Sequence, residues 1–440
     1  MKTARIFFAA ALVLLCGCGW YTQISTLTDE AEQLETGTGD AAVYMERGLY
    51  QKAMQSYRAA LAVEEDGELR DGLLEACKAA WSEELVSTST YQNELRNACA
   101  AWPERADYWA RLIELLRNGG NYREAYSTIY RAEQAGAASE ELSRLATEVR
   151  YSYTTSSHTY EKIDRAPSGY AAVYDGSGWG VIAPDGNTAY DCDYTYITPY
   201  SDERSAVFCT EEHIRLFDAG RVVQAILTDG ISQARAYGDG LLPVCRDGKW
   251  SYLACEDASW LPGSYEDASA FQNGAAAVKE NGRWRMIAPN GEPVGEAAFS
   301  DVKLHGNGDY CFDGVMAAAV DGVWNLYTAD GAPAAELQAA GLDVFLGGGI
   351  AFQDASGKWG FVNRKGEVLI EPQFQQARSF SGGLAAVYDG NGWGFIDRSG
   401  KLAIPCKFLD AGYFSDAGCC FVSTVEGQFY TVELRFPPLG

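Results

Sequence analysis

Apolar residues between positions 40 and 150 recur at intervals of three and four. Ala53, Tyr57 and Ala60 fall on one face of a helix at this spacing. A small alanine lets a neighbouring helix approach, and the aromatic residue four positions later fills the gap between them. A comparable pattern returns at Ala125. The segment is therefore predicted to form packed helices.

From about residue 159 to the C-terminus, the apolar residues fall in shorter runs separated by turn residues. In the fullest copy, 385–388 is predicted to be a strand, 389–392 a turn and 393–397 the returning strand. The returning strand is apolar on both faces, which predicts that it is buried between layers.

A tryptophan marks this unit each time it returns. The six are Trp179, Trp250, Trp284, Trp324, Trp359 and Trp393. Their successive spacings are 71, 34, 40, 35 and 34 residues, and the first of these equals two periods. Ile214 occupies the tryptophan position in the skipped unit, and Phe429 occupies it in the last unit. The region from 159 to 440 is therefore predicted to contain about eight units.

The β units resemble the WG-repeat family of bacterial proteins. The resemblance rests on the phased tryptophans, on the Trp393-Gly394 pair and on lead-ins such as Phe380–Ala385. It implies an all-β domain built as a β-propeller-like array, with an elongated β-solenoid as the alternative. We favour the propeller because radial closure protects strand edges that an open stack must cap.

The helical segment resembles tetratricopeptide repeats. Gly48–Ala53 and Gly120–Ala125 match the second half of that unit, and a degraded copy containing Tyr91, Leu95 and Ala98 lies between them. The expected fold class is thus multidomain, with a short TPR-like α-solenoid at 40–150 followed by the all-β array. A generic helical bundle is the alternative.

Stacked repeats of this kind commonly hold a peptide in a concave groove. The candidate residues for the lining of such a groove are Arg111, Arg117, Arg123 and Arg131. The alternative interpretation makes them solvated charges on helix surfaces.

The N-terminus has the pattern of an export signal. Lys2 and Arg5 precede the apolar run 6–15, which is too short to span a bilayer as a helix. The sequence Leu15-Cys16-Gly17-Cys18 resembles the bacterial lipobox, which implies lipid attached to Cys18. We expect a signal peptide at 1–17, an anchor and polar spacer at 18–39, and a location on the extracytoplasmic face of the cell membrane.

Charge and composition narrow the possible partners. The formal net charge of −25 repels phosphate backbones and argues against nucleic acid. The three histidines, His158, His213 and His305, are far apart and follow no zinc-binding spacing. The frequent Asp-Gly pairs recur in phase with the predicted hairpins and are explained by turn chemistry. We therefore expect no cofactor and no metal.

These features together favour a membrane-anchored binding or scaffold lipoprotein, with a protein or peptide partner at the cell envelope and no catalytic residues. The alternatives are an exported carbohydrate-active enzyme and a cell-wall glycan-binding module. An enzyme needs a pair of inward-facing acids, and a glycan ligand needs exposed tryptophan faces.

Overall fold

A computed structural model describes residues 39–165, 169–198, 205–209, 213–218, 221–227 and 230–437. The chain divides into two compact units, Met1–Arg150 and Tyr151–Gly440. In the described ranges, none of the helices has the length and apolar character needed to cross a membrane. The second unit begins earlier than the boundary expected at residue 159.

The described part of the first unit consists of seven helices. They are α1 (39–46), α2 (Tyr50–Val63), α3 (Gly67–Ser82), α4 (Thr88–Ala101), α5 (Ala106–Asn118), α6 (Tyr122–Gln134) and α7 (Glu140–Arg150). From α2 onward, each helix packs against the next.

Side-chain caps fix the starts of several helices. The Asp66 carboxylate accepts hydrogen bonds from the backbone nitrogens of Glu68 and Leu69, and the Ser87 hydroxyl accepts one from Thr90. These bonds satisfy backbone donors that have no partner within the first turn. Capping therefore determines where α3 and α4 begin.

The residues singled out by spacing form the helical core. Ala53 and Ala125 are fully buried, as are Leu95 and Ala98 in the degraded middle copy. Tyr91 is 4% exposed and stacks on Trp81, with 5.5 Å between the ring centroids. The middle segment therefore has the same kind of buried face as its neighbours, despite its weaker sequence match.

The described part of the second unit contains eight small antiparallel sheets, numbered here in chain order. The first four are β2 (Lys162–Arg165), β3 (Ala171–Tyr174), β4 (Trp179–Ile182), β5 (Thr188–Tyr194); β6 (Tyr196–Ile197), β7 (Ser205–Cys209), β8 (His213–Asp218), β9 (Arg221–Leu227); β10 (Ile231–Ala234), β11 (Leu241–Arg246), β12 (Lys249–Ala254); and β13 (Asp267–Ala268), β14 (Ala276–Glu280), β15 (Arg283–Ile287), β16 (Pro293–Phe299).

The other four sheets follow the same order. They are β17 (Asp301–Val302), β18 (Val315–Val320), β19 (Val323–Thr328); β20 (Gly341–Leu342), β21 (Ile350–Gln353), β22 (Trp359–Val362), β23 (Val368–Phe374); β24 (Gln376–Ala377), β25 (Leu384–Tyr388), β26 (Trp393–Asp397), β27 (Leu402–Phe408); and β28 (Asp410–Ala411), β29 (Cys419–Val425), β30 (Gln428–Leu434), which β1 (Tyr153–Thr155) completes.

The six tryptophans are structurally equivalent, as their spacing predicts. Each stands near the start of the third strand of its sheet and pairs with the end of the second strand, as Trp393 does with Tyr388. On its other side, Trp393 pairs with Phe408 of the fourth strand. The substituted anchors Ile214 and Phe429 occupy the same register.

The hydrophobic core lies between successive sheets. Phe395 of the seventh sheet packs edge-on against Phe414 of the eighth, with ring centroids 4.8 Å apart. The same contact recurs between Phe361 and Phe380 at 4.8 Å. These lead-in aromatics thus fill a space against the preceding sheet, so neighbouring sheets share part of their core.

The ring of sheets is closed by the start of the unit. Strand β1 pairs with β30, so the eighth sheet combines both ends of this unit. Phe421 of that sheet joins a buried cluster with Tyr160 and Ile182 next to the first sheet, and the Ser415 hydroxyl donates to the Pro184 carbonyl. The architecture is therefore a β-propeller and not the alternative β-solenoid.

Candidate functional site

One loop of the fifth sheet enters the axis of the propeller. Residues 303–311, called here the axial loop, follow β17 and turn tightly, with the Gly308 amide donating to the His305 carbonyl at 2.9 Å. The Asn307 carbonyl accepts from Ala236 of the third sheet, and the Gly308 carbonyl accepts from Ala270 of the fourth, both at 2.9 Å. The loop therefore fills the side of the axis that these sheets face.

Most of the axial loop is buried although it is polar. Asn307 and Asp309 are each 1% exposed, and the Asn307 amide donates to the Asp309 carboxylate at 2.7 Å. His305 is also buried, and burial lowers the pKa of its imidazole to about 3. The histidine is thus neutral at physiological pH.

Beside the axial loop lies a cavity of about 440 Å³, called here the axial cavity. Its walls come from the first, fifth, sixth, seventh and eighth sheets, mainly from their first strands and the loops beside them. The charged and aromatic side chains in these walls are Arg165, Lys303, Asp343, Arg378, Tyr413, Asp416, Phe312, Trp359 and Trp393. The volume is within the range of small-molecule sites.

Two charged groups in the cavity wall, Asp343 and Arg378, have hydrogen-bond or ion-pair partners in the protein. The Tyr413 hydroxyl donates to both Asp343 oxygens at 2.8 and 2.9 Å, and the Ser379 amide donates to the same carboxylate at 2.8 Å. Burial and the Asp343 charge raise the pKa of Tyr413 well above its usual value. Arg378 pairs with Asp410 at 2.8 Å and lies over the Trp393 ring.

Arg165 has no ion pair among the described residues. Its Nη1 atom is covered by protein, yet no hydrogen-bond partner for it exists among the described residues. The side chain as a whole is only half-buried, but burial still lowers the pKa of its guanidinium, more than the neighbouring Asp416 charge raises it. An incompletely neutralised cation therefore faces the axial cavity.

The described residues include no group of three or more metal-ligating side chains. The Asp-Gly carboxylates serve their turns: Asp389 accepts from the Asn391 and Gly392 amides, and Asp175 accepts from Ser177 and Gly178. The cysteines whose side chains the structure describes are free thiols, and burial raises the pKa of buried ones such as Cys420 to about 12.

The tryptophans serve mainly as packing residues. Trp250, Trp284 and Trp393 are buried, and the other three are partly buried. Two of them, Trp359 and Trp393, also border the axial cavity. Sequence reasoning identified these rings but missed Arg165 and the axial loop. The signal for the loop was the 40-residue interval between Trp284 and Trp324.

The four arginines of the expected groove do not form one cluster. Arg111 pairs with Glu75 at 3.0 Å and donates to the Tyr91 hydroxyl at 3.1 Å. Arg117 pairs with Glu148. These two arginines are tied to neighbouring helices by contacts within the unit.

The other two arginines lie on the exposed face of α6. Arg123 is exposed, and Arg131 donates to the Thr128 hydroxyl at 2.8 Å. On the same face, Tyr126 is 40% exposed and Tyr130 is 61% exposed. We call Arg123, Tyr126, Tyr130 and Arg131 the α6 face. Cys18 lies outside the described residues.

Three segments of the chain match the family model for the WG containing repeat: residues 260–284, 359–393 and 393–424. All three lie in the propeller and together span less than half of the chain. No curated protein matches the chain.

Solved structures with a related arrangement include Hsv2 from Kluyvelomyces marxianus, at 9% identity and a TM-score of 0.39, covering 63% of this chain and 98% of that one. The AfRom2 CNH domain is 12% identical with a TM-score of 0.31, covering 53% and 91%. A eukaryotic initiation factor is 11% identical with a TM-score of 0.36, covering 66% and 88%. At this level of similarity, none of them indicates a ligand or an activity for this chain.

Proposed function

We propose that this protein is a lipid-anchored interaction protein on the extracytoplasmic face of the cell membrane, binding a protein or peptide partner. The observation that carries the proposal is the α6 face, which presents two exposed tyrosines beside two arginines. Tyrosine and arginine are the residue types most enriched at the energetic centres of protein interfaces. The resemblance to tetratricopeptide repeats supports the same interpretation.

The partner surface follows from the chemistry of this face. Tyr126 and Tyr130 are one helical turn apart and offer flat apolar area with a hydroxyl at the edge. Arg123 has no carboxylate partner in the described ranges. A segment with apolar side chains and an acidic residue therefore complements the α6 face.

Binding is tested by co-purification of the full-length chain from its own membranes after chemical cross-linking. The double variant Tyr126→Ala/Tyr130→Ala is compared with Leu85→Ala, which removes a side chain that is 46% exposed elsewhere in the same unit. We expect the cross-linked partner to disappear only in the double variant. A partner retained equally by all three proteins contradicts the role of the α6 face.

Anchoring at Cys18 is tested by metabolic labelling with a palmitate analogue. The label should be lost in Cys18→Ala and kept in Cys16→Ala, since Gly17 provides the small residue before the modified cysteine. A mature chain that starts beyond Cys18 and carries no lipid contradicts the anchor. The two experiments are independent, because the α6 face requires no lipid.

The glycan alternative depends on exposed tryptophan faces. The repeat tryptophans are buried or partly buried, as expected for core anchors. If the full-length chain binds peptidoglycan, and Tyr126→Ala/Tyr130→Ala does not reduce that binding, the glycan hypothesis replaces ours.

A further inference from the structure

The axial cavity contains an arginine that lacks an ion pair. Arg378 is paired with Asp410, whereas Asp343 accepts hydrogen bonds from Tyr413 and Ser379 and keeps its own negative charge. Arg165 and Lys303 remain, and neither has an ion pair in the part of the chain that the structure describes. Asp416, the other acid in the wall, and Lys303 are both exposed, whereas Arg165 is half-buried. Arg165 is therefore the better placed of the two cations to hold an anion away from water.

Keeping an arginine nitrogen covered and unbonded is costly, because the group has left water without gaining a partner. The axial loop reaches the strand that carries this arginine, since Gly306 lies against the Arg165 backbone. A carboxylate or phosphate that enters the cavity would give the guanidinium charge-assisted hydrogen bonds, which are stronger than those between neutral groups.

We propose that Arg165 holds the anionic group of a small carboxylate- or phosphate-bearing ligand inside the axial cavity. Lys303 supplies a second positive charge from the fifth sheet. The cavity of about 440 Å³ exceeds a lone inorganic anion, so the rest of the ligand packs against apolar walls such as Phe312, Trp359 and Trp393. This inference concerns the propeller alone and does not rest on the α6 face or the lipid.

The test is calorimetric titration of the full-length chain with two probes, inorganic phosphate and succinate, against sodium chloride of equal ionic strength. We expect one or both probes to bind saturably at one site per chain. Phosphate alone indicates a phosphate-bearing ligand, and succinate alone indicates a carboxylate-bearing one. Absence of saturable binding by both overturns the proposal.

Three variants locate the site. Arg165→Met should weaken binding by at least about tenfold, and Arg165→Lys should weaken it less, because the charge remains while the fork is lost. Arg398→Met removes an equal charge from an exposed turn and should bind as the wild type does. Unchanged affinity in Arg165→Met overturns the proposal.

The thermal midpoint of the ligand-free variants separates binding from a structural role. Arg165→Met should unfold at the wild-type temperature or above, since it removes an uncompensated covered charge. If this variant instead unfolds well below the wild type, and Arg165→Lys binds both probes with wild-type affinity, Arg165 is a structural residue and the proposal fails.

Discussion

The backbone of Gly306 lies directly against the backbone of Arg165, although the two residues belong to the fifth and first sheets. A Cβ atom on Gly306 would lie 3.2 Å from the Arg165 nitrogen and 3.3 Å from its carbonyl oxygen. This contact brings the axial loop up to the strand that carries the uncompensated arginine. Glycine is therefore needed here for close approach rather than for an unusual φ angle.

Replacing Gly306 with alanine should destabilise the propeller by about 1–2 kcal/mol, because backbone atoms cannot move aside easily. Gly341→Ala is the matched control. Its added Cβ would meet the side chain of Gln353 at 3.3 Å, and that side chain can move aside. Chemical denaturation of both variants checks the prediction. Equal free energies of unfolding would show that the axial loop can move away from Arg165 without a loss of stability.

The buried His305 should make stability depend on pH. Unfolded histidine takes up a proton below pH 6.5, whereas the folded imidazole resists protonation until about pH 3. Between these values the unfolded state binds more protons, so the free energy of unfolding falls as the pH falls. The loss attributable to this group is about 2 kcal/mol at pH 5.

Two variants isolate this contribution. His305→Gln and His305→Asn should both lose less stability between pH 7 and pH 5 than the wild type, because neither replacement side chain titrates in this range. Denaturant titrations at the two pH values provide the measurement. Parallel losses in all three proteins would mean that other groups account for the pH dependence.

Closure of the ring depends on the edge strand β1. The Arg435 amide donates to the Ser152 carbonyl, and the Ser156 amide donates to the Thr431 carbonyl. In an antiparallel ladder every second residue pair is hydrogen-bonded, so Thr154 and Glu433 also form a hydrogen-bonded pair. Thr154→Pro should therefore cost about 1–3 kcal/mol.

The adjacent position provides the control for this prediction. The Thr155 amide faces away from β30 in the same ladder, and proline is tolerated on that side of an edge strand. Thr155→Pro should stay within about 1 kcal/mol of the wild type. Similar unfolding midpoints for the two proline variants would argue that β1 contributes little to closure.

The repeat tryptophans should be core residues in energetic terms. Trp393 is 8% exposed and packs within the cluster between the seventh and eighth sheets. Trp393→Ala should cost about 3–5 kcal/mol. Trp260 lies outside the repeat positions and is 43% exposed. Replacing it with alanine should lower the free energy of unfolding by less than about 1 kcal/mol. A small effect at Trp393 would assign that ring to ligand contact instead of the core.

Much of the fold was predictable because its determinants are local and periodic. The spacing of Trp359 and Trp393 defined the sheets, and the apolar third strand indicated burial on both faces. In the helical unit, the placement of Ala53 and Ala125 identified the packed faces. These patterns repeat, so each copy supports the interpretation of the others.

The candidate site was not predictable, because it depends on departures from the repeat and on distant contacts. The axial loop follows from extra residues before Trp324, but their path across the axis depends on Ala236, Ala270 and Arg165 in other sheets. Likewise, the sequence alone does not distinguish Arg111 from an ordinary surface arginine. In the structure its side chain contacts Glu75 of α3 and Tyr91 of α4.

Hydrogen–deuterium exchange of the full-length chain tests most directly whether the propeller axis is a ligand site. Exchange is measured with and without saturating phosphate or succinate. We predict slower exchange in the axial loop at 303–306 and in the inner segments 376–381 and 412–417, with α6 unchanged. Slowing confined to the helical unit or to the outer strands, or no slowing with either anion, would contradict the claim.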